Sequence, residues 1–359
     1  MEYLMQYAMF LAKAATIVIA IIFVISVITS SGIKQRKGSK RGILTVTPLN
    51  DHIKDMREAL RRSVLEKDEL KQTHKEEKKL AKAELKEKNK KLKQSKSGVA
   101  GKDTAAERTK RVYVLHFTGD IAAEAVASLR EEITAVLSMA KQSDEVLLKL
   151  ESPGGMVHAY GLASSQLLRI KNAAIPLTIC VDKVAASGGY MMACLADKLV
   201  AAPFAIIGSI GVLVQLPNFH RILKKNEVDY EIITAGEFKR TLTQFGEITQ
   251  KAREKVQEDV DTMHDLFKRW VKEHRPSVDI DAIATGETWV GIQAKERFMV
   301  DELRTSDECI VTACDSADVF EVEYEIRKSV MDKLGTVFEM TVYRIYSRWF
   351  EKSSPNNYQ

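Results

Sequence analysis

The sequence predicts an α/β protein with parallel crossovers, preceded by a transmembrane helix and a charged helical stalk. Strand-like and helix-like segments alternate from residue 111 to residue 202 of the 359-residue chain, and this alternation is typical of a parallel sheet joined by helices. Ahead of it, residues 9–28 are almost entirely apolar, and residues 50–96 are rich in Lys and Glu without any Pro or Gly. The first stretch suits a membrane span and the second a solvated helix.

The apolar N-terminal stretch is long enough to cross a bilayer core, which takes about 20 residues. Strong positive charge follows the stretch rather than preceding it, at Lys34, Arg36, Lys37, Lys40 and Arg41. That order, and the lack of a convincing small-residue cleavage site, favour a retained anchor over a cleaved signal peptide. The positive-inside rule then places the chain that follows the anchor in the cytoplasm.

Basic charge is concentrated at the N-terminal end of the chain. Residues 1–100 carry 22 Lys and Arg against 11 Asp and Glu, so residues 101–359 have a net charge of −6 within a total of +5. A nucleic-acid-binding domain would carry a basic face of its own. The sequence therefore argues against nucleic acid as a main partner.

The stalk contains acid–base pairs at helical spacing, such as Glu76 with Lys79 and Glu84 with Lys88, which favour a helix. Its leucines are too sparse for a coiled coil. Such a helix can act as a spacer or contact anionic lipid headgroups, and a solvated, partly disordered linker is the alternative. The small polar residues of 95–109 indicate the boundary with the globular part.

The globular part alternates between the periodicity of a strand and that of a helix. Strands are predicted at 111–117, 145–150, 176–181, 198–202 and 229–234, and helices at 156–171, 190–196 and 249–274. A further helix after Gly119-Asp120 has its apolar face at Val126, Leu129, Ile133, Val136 and Leu137. Residues 289–303 are predicted to form a turn, a helix and a short strand.

Two segments allow more than one interpretation. Residues 199–216 are uncharged over 18 positions, as in a second membrane span, but Pro203, Gly208 and Gly211 interrupt them. We therefore predict two short buried strands joined by a turn. The aromatic and basic segment 337–350 is predicted to be a packed terminal helix, with an oligomer contact or a membrane-surface helix as alternatives.

One hydroxyl group stands among residues with almost no side chain in the stretch Val184-Ala185-Ala186-Ser187-Gly188-Gly189-Tyr190. This stretch lies between the predicted strand 176–181 and the predicted helix 190–196. A serine at such a junction can attack a carbonyl carbon, and the free N–H of Gly188 can stabilise the negative charge that develops. A tight turn built from small residues is the alternative.

A second glycine turn, Ser152-Pro153-Gly154-Gly155, follows the preceding predicted strand. Loops at the carboxyl ends of neighbouring parallel strands lie side by side. The N–H groups of Gly155 and Gly188 are therefore predicted to converge on one oxyanion beside Ser187, an arrangement that suits acyl transfer.

A serine nucleophile needs a base. Of the seven histidines, only His158 lies near a candidate loop, and it sits one turn into the helix that follows. Lys239 comes directly after the predicted strand 229–234. A lysine kept neutral by desolvation can accept a serine's proton, so Lys239 is the better candidate, although a solvated surface charge is the ordinary role of a lysine.

The four cysteines, Cys180, Cys194, Cys309 and Cys314, form no C-x-x-C pair. They are predicted to be buried structural thiols. No metal and no cofactor are expected.

Four motifs in a fixed order carry a family resemblance. They are Glu151-Ser152-Pro153-Gly154-Gly155, Asp182-Lys183-Val184-Ala185-Ala186-Ser187-Gly188-Gly189-Tyr190, Ile207-Gly208-Ser209-Ile210-Gly211-Val212 and Gly236-Glu237-Phe238-Lys239-Arg240. The run from Arg111 to Leu303 resembles the SohB / signal peptide peptidase A family of bacterial membrane-bound serine proteases. The single anchor, basic stalk and short C-terminal extension are similar to its SohB members.

The resemblance implies a ClpP/crotonase-like fold of repeated β-β-α units and a Ser–Lys dyad. Matched motif by motif, Ser187 resembles the nucleophile, Lys239 the general base and Ser209 the hydroxyl that orients the lysine amine. Gly155 and Gly188 resemble the oxyanion donors. The implied organisation is an anchor at 1–32, a stalk or linker at 33–110, a protease domain at 111–305 and an extension at 306–359.

The family also implies peptide or protein substrates, including leftover signal peptides, contact with membrane lipid through the anchor, and homo-oligomeric rings or domes. In such an assembly Lys239 can serve its own chain or a neighbouring one. The resemblance to signal peptide peptidase A suggests a domain outside the cytoplasm at the bacterial inner membrane, whereas the charge pattern favours the cytoplasmic side.

Two other functions stay open. A crotonase-like acyl-CoA enzyme uses similar paired N–H donors but leaves Ser187 and Lys239 without a role. A non-catalytic, membrane-anchored scaffold would keep the fold alone.

Overall fold

The computed structural model describes residues 42–65 and 109–326, with scattered helical residues between 6 and 19 and between 69 and 86. Most of the predicted anchor, most of the stalk and the whole aromatic segment 337–350 lie outside the described residues. Within the part of the chain that is described, no helix is both long and apolar enough to span a membrane. Residues Leu44–Tyr324 form one compact unit.

Strands and helices alternate along the described chain. The strands are β1 (Ile43–Pro48), β2 (Arg111–Thr118), β3 (Glu145–Glu151), β4 (Leu177–Val181), β5 (Val184–Ala186), β6 (Lys198–Ala201), β7 (Ile206–Gly208), β8 (Thr288–Val290), β9 (Glu302–Leu303) and β10 (Asp318–Glu325). The helices are α1 (Leu49–Val64), α2 (Val126–Leu137), α3 (Val157–Asn172), α4 (Gly188–Ala193), α5 (His220–Lys225), α6 (Gln250–His274), α7 (Ile280–Ile283), α8 (Gly291–Glu296) and α9 (Ser306–Cys314).

Seven strands form the main sheet in the order β1-β10-β2-β3-β4-β6-β9, and three form a small sheet in the order β5-β7-β8. From β10 across to β9, every neighbouring pair of the main sheet is parallel. In the small sheet β5 pairs with β7 in parallel, and β7 pairs with β8 antiparallel. A bridge between Ser152 and Ala185 brings the end of β3 next to β5, so the two sheets meet where β3 ends.

Alternate side chains of the central strands face opposite sides of the main sheet. On β2, Tyr113, Leu115 and Phe117 enter the larger core with α2, α3 and α4. Val112 and Val114 enter a smaller core on the other face, against α1 and α9. Helices therefore cover both faces, as parallel sheets require, and the predicted α/β class with parallel crossovers is confirmed.

Most of the predicted elements between residues 111 and 202 are confirmed to within two residues. Residues 199–216 contain the short buried strands β6 and β7 rather than one continuous helix, as predicted. Cys180 and Cys194 are buried, whereas Cys309 and Cys314 are only partly buried, and all four are free thiols. The burial prediction is thus right for the first pair and too strong for the second.

The predicted strand at 229–234 is wrong. These residues have no regular structure, and all of them are exposed. Ile233 is 96% exposed, so the apolar alternation of this segment is not directed into the core of its own chain. A strand also needs a partner for its backbone groups, and here no described strand pairs with it.

Strands β1 and β10 were not predicted, yet they extend one side of the main sheet. Asn50, at the start of α1, fixes this side. Its Nδ2 donates to the carbonyl oxygens of Cys314 at 3.1 Å and Ala317 at 2.9 Å, and its Oδ1 accepts from the N–H of Val319 at 2.7 Å. The first residues of the sequence-predicted stalk therefore belong to the folded unit.

Candidate active site

Ser187 occupies a sharp turn between β5 and α4. Its backbone has φ 52° and ψ −119°, a conformation that non-glycine residues rarely adopt. The surroundings hold it there, since the Ser187 N–H donates to the Gly208 carbonyl at 2.8 Å and the Ser187 carbonyl accepts from the Met191 N–H at 3.0 Å. A strained strand–turn–helix serine of this kind is how several hydrolases present a nucleophile.

The glycine turn after β3 packs directly against the Ser187 turn. Gly154 has φ 90°, and a Cβ atom placed on it would lie 2.7 Å from the Ser187 Cβ and 2.8 Å from the Gly188 nitrogen. Only a glycine allows this approach. The two predicted oxyanion donors, Gly155 and Gly188, are therefore on loops that touch, as the sequence predicted.

The N–H groups of Gly155 and Gly188 are both available to an oxyanion, for different reasons. Gly188 is the first residue of α4, and the first N–H of a helix has no acceptor within it. Among the described residues, the Gly155 N–H donates to no side chain and to no backbone carbonyl outside the helices and strands.

A buried hydrogen-bond chain supports the glycine turn from behind. The Gly154 N–H donates to Ser152 Oγ at 3.1 Å, Ser152 Oγ lies 2.5 Å from Tyr160 Oη, and Tyr160 Oη donates to the Asp120 carbonyl at 2.7 Å. Ser152 and Tyr160 are both fully buried. Burial raises the pKa of Tyr160, so its hydroxyl stays protonated and can donate.

Tyr160 was not singled out by the sequence analysis. Its position on the apolar face of a predicted helix made it one core aromatic among several. Nothing in the linear sequence shows that its hydroxyl reaches both Ser152 and Asp120.

Ser209 lies beside Ser187 in the small sheet. Ala186 and Gly208 are register partners in the parallel pair β5–β7, so Ser187 and Ser209 are the next residues at the same end of both strands. Ser209 also has a positive φ of 53°, and its N–H donates to the Glu287 carbonyl at 2.6 Å. The structure thus brings Ser209 to the predicted site.

Among the described residues, no hydrogen bond joins Lys239 to Ser187. Lys239 lies in an exposed turn, where its backbone N–H donates to the Gly236 carbonyl at 3.2 Å. Within the described residues, its amine takes part in no hydrogen bond or ion pair. His158 is exposed on the first turn of α3 and likewise has no described contact with Ser187.

Two sequence models of one peptidase family match the chain. The model of the Peptidase family S49 N-terminal region matches residues 2–167, and that of Peptidase family S49 matches residues 169–319. The chain belongs to the S49 family of peptidases, which confirms the resemblance predicted from the four motifs.

Relatives cover nearly the whole chain. It is 47% identical over 353 residues to a protein of Haemophilus influenzae named probable protease SohB, covering 98% of each chain. It is 43% identical over 312 residues to the probable protease SohB of Buchnera aphidicola subsp. Schlechtendalia chinensis, covering 87% of this chain and 100% of that one. Protease 4 of Haemophilus influenzae is 27% identical over 167 residues, which is 46% of this chain and 27% of that protein.

Proposed function

We propose that this S49 peptidase is a membrane-anchored serine endopeptidase of ClpP/crotonase-like fold, with a Ser187–Lys239 dyad. The observation that carries the proposal is the Ser187 turn, which is strained at φ 52° and pressed against the Gly154–Gly155 loop. Strain of this size persists only where the surrounding structure enforces it, and it is concentrated at functional sites.

The proposed reaction follows from the positions of these groups. Ser187 Oγ bonds to the carbonyl carbon of the substrate peptide while its proton passes to the neutral amine of Lys239. The carbonyl oxygen becomes an oxyanion, which the N–H groups of Gly155 and Gly188 stabilise. Collapse of the intermediate breaks the C–N bond, and the lysine ammonium returns the proton to the leaving amine. Water then hydrolyses the acyl-enzyme with the same lysine as base.

Ser209 completes the proposed site as a positioning residue. Its location at the end of β7, level with Ser187 at the end of β5, suits a hydroxyl that accepts from the lysine amine and directs its lone pair at Ser187 Oγ. This role depends on the lysine reaching the same end of the small sheet.

The exposure of Lys239 points to a second copy of the chain. Desolvation can keep a lysine neutral so that it acts as a base, and Lys239 is exposed in the part of the chain that the structure describes. The segment that carries it, residues 211–249, is here called the arm, and Thr243 is its one buried residue. Exposed apolar side chains of the arm are Leu213, Val214, Phe219, Ile222, Val228, Tyr230, Ile232, Ile233, Phe238 and Phe245.

An exposed apolar surface of this extent marks an interaction site. We therefore place the arm against a neighbouring subunit of a ring or dome, where Lys239 is covered and meets the neighbour's Ser187. The substrates are peptides or proteins at the membrane, signal peptides among them.

The membrane anchor at 9–28 rests on the sequence, and the charges after it favour a cytoplasmic peptidase domain. Protease added to intact spheroplasts tests the orientation. A cytoplasmic domain stays protected until the cells are lysed, and its digestion in intact spheroplasts would place it on the other side.

A serine-reactive covalent probe tests the nucleophile without a known substrate. We expect labelling of the full-length chain at Ser187 and none in Ser187→Ala, while Ser165→Ala, which changes an exposed serine on α3, labels normally. Absence of labelling in a folded wild-type chain would favour the scaffold alternative.

Mixing two inactive variants tests where the lysine comes from. Ser187→Ala and Lys239→Ala are each expected to lose about 10³-fold or more in peptide hydrolysis. If the lysine acts on a neighbour, mixed oligomers contain sites with both native residues and regain part of the activity. No recovery after verified subunit exchange would mean that the dyad forms within one chain, and normal hydrolysis by Lys239→Ala would exclude the dyad altogether.

A further inference from the structure

Three metal-ligating side chains lie together on the main sheet, on the face opposite to the core that contains Tyr160. They are His116 of β2 and Glu321 and Glu323 of β10. His116 Nε2 lies 2.6 Å from Glu321 Oε1, and one ligand atom from each of the three residues lies within 4.8 Å of the others. All three are open to solvent, since His116 and Glu321 are half-buried and Glu323 is exposed.

The sheet itself fixes this grouping. Strands β10 and β2 are parallel neighbours, with Val319 opposite Val112 and Glu321 opposite Val114. These valines fill the smaller core. Because side chains alternate along a strand, His116, Glu321 and Glu323 continue the same face beyond the valines. The paired stretch ends at Val114 and Glu321, and His116 and Glu323 lie two residues beyond it on their strands.

The described residues provide little positive charge to balance the two carboxylates of the group. Within the described residues, no lysine or arginine forms an ion pair with Glu321 or Glu323, and His116 is the one basic side chain in contact. Lys149 is the register partner of His116 on β3, but its amine lies 3.7 Å from a carboxylate oxygen of Asp307 instead.

The negative charge of Glu323 also affects a buried carboxyl group on α2. Glu132 of α2 is 5% exposed and has a pKa raised to about 7, mainly because of burial, while its bond from the Tyr324 N–H lowers the pKa and the charge of Glu323 raises it further. A cation bound at Glu323 would relieve that repulsion.

The geometry points to a binding site for a divalent transition-metal ion of the zinc class, held by His116 Nε2 and one oxygen each of Glu321 and Glu323. Imidazole and carboxylate are ordinary zinc ligands at about 2.0–2.2 Å, with water completing the tetrahedron. Ligand atoms around such an ion lie about 3.4 Å apart, so His116 and Glu321 separate slightly and Glu323 moves inward. The bound ion crosslinks β10 to β2 and stabilises the sheet.

Zinc binding to the chelator-treated, full-length chain tests the site. Titration calorimetry is expected to show one zinc ion bound per chain, and zinc is expected to raise the melting temperature. His116→Ala and Glu323→Gln should each weaken zinc binding by at least about tenfold, since even indirect ligand partners are worth that much. His52→Ala, which removes an exposed histidine of α1, should bind zinc as the wild type does.

Two further measurements distinguish this site from a cysteine site and from a general loss of stability. The metal-free melting temperature of Glu323→Gln should be no lower than that of the wild type, because the side chain is exposed and nearly isosteric and its charge repels Glu132. Cobalt(II) bound in place of zinc should give no thiolate-to-metal charge-transfer band. Such a band would assign the ion to the cysteines and overturn the proposal, as would zinc binding that survives in both variants or is absent from the wild type.

Discussion

The Ser187 turn and the arm are opposite kinds of structure. Ser187 is fixed by backbone hydrogen bonds to Gly208 of β7 and Met191 of α4, and its neighbours Gly188, Gly189 and Tyr190 are buried. Among the described contacts of the arm are the Phe219–Phe245 ring pair at 5.9 Å within it and the approach of Lys251, on the first turn of α6, to the Phe238 ring. The arm's apolar side chains face solvent.

The two halves of the proposed dyad therefore obtain their geometry in different ways. The proposed nucleophile and oxyanion donors, Ser187, Gly155 and Gly188, are positioned by the fold of one chain. The proposed base, Lys239, is carried by an exposed segment, so on this proposal its positioning requires assembly. The proposal then predicts that the free chain is inactive and that activity requires the oligomer.

A charge placed on the arm is expected to have the largest effect. Ile233→Asp changes a side chain that is 96% exposed, so the fold of one chain should not respond. If the arm packs on a neighbour, burying an unpaired carboxylate disrupts the contact. We expect smaller oligomers by sedimentation and a loss of about 10³-fold in peptide hydrolysis, because the base is then missing.

Val311→Asp is the matched control for this variant, since Val311 is an apolar residue of α9 that is 48% exposed and lies outside the arm. It should leave both the oligomer and the activity unchanged. Full activity of a monomeric Ile233→Asp protein would show that the arm serves Ser187 within its own chain.

A methyl group added at Gly154 tests the Ser187 turn. In Gly154→Ala the new Cβ meets Ser187 Cβ and the Ala186 carbonyl oxygen at 2.7 Å, at a backbone φ of 90° that alanine disfavours. The two loops must separate, and a shift of about 1 Å in a catalytic group can cost about 10²-fold in rate. We expect a loss of that size in kcat/KM without dissociation of the oligomer.

Gly161→Ala is the control for Gly154→Ala. A Cβ at Gly161 meets nothing within 4 Å, and Gly161 lies inside α3, where alanine is preferred over glycine by about 1 kcal/mol. This variant should be at least as stable as the wild type and fully active. If both alanine variants keep full activity, the close packing of the two loops does not matter for the chemistry.

The sequence predicted the first region much better than the second. Ser187 and the two glycine turns are local signals, because small residues at the ends of apolar strands mark sharp turns in the backbone. The predicted strand before Lys239 was wrong, because apolar alternation shows that a surface is covered but not whether its own chain covers it. Strands β1 and β10 pair residues more than 250 positions apart, and no local pattern reveals such a partner.

Removing the hydroxyl of Tyr160 should reduce activity less than changing the Gly154 turn that it supports. Tyr160→Phe removes the link between Ser152 and Asp120, and leaving buried polar groups unpaired costs about 1–3 kcal/mol. We expect that decrease in the free energy of unfolding by denaturant titration. A loss of about tenfold in kcat, or about 1.4 kcal/mol in the barrier, should accompany it because the Gly154 turn loosens.

Tyr113→Phe separates the hydrogen bonds from the aromatic packing. The Tyr113 hydroxyl is also buried but has no hydrogen-bond partner among the described residues, so its removal should cost little or nothing. Equal destabilisation by the two phenylalanine variants would mean that the Tyr160 hydroxyl gives no special support to the site.

The smallest effect is expected at His158, and it bears directly on the contrast between the two regions. If a histidine near the Ser187 turn were the base, the whole site would be complete in one chain and the arm would have no catalytic role. His158 is exposed on the first turn of α3 and has no described contact with Ser187, so His158→Ala should keep kcat/KM within about twofold of the wild type, a change of under about 0.5 kcal/mol. The pH–rate profile should also be unchanged, because a general base titrates in that profile. A loss comparable to that of Lys239→Ala would identify His158 as the base. The exposed arm would then have a role in assembly alone.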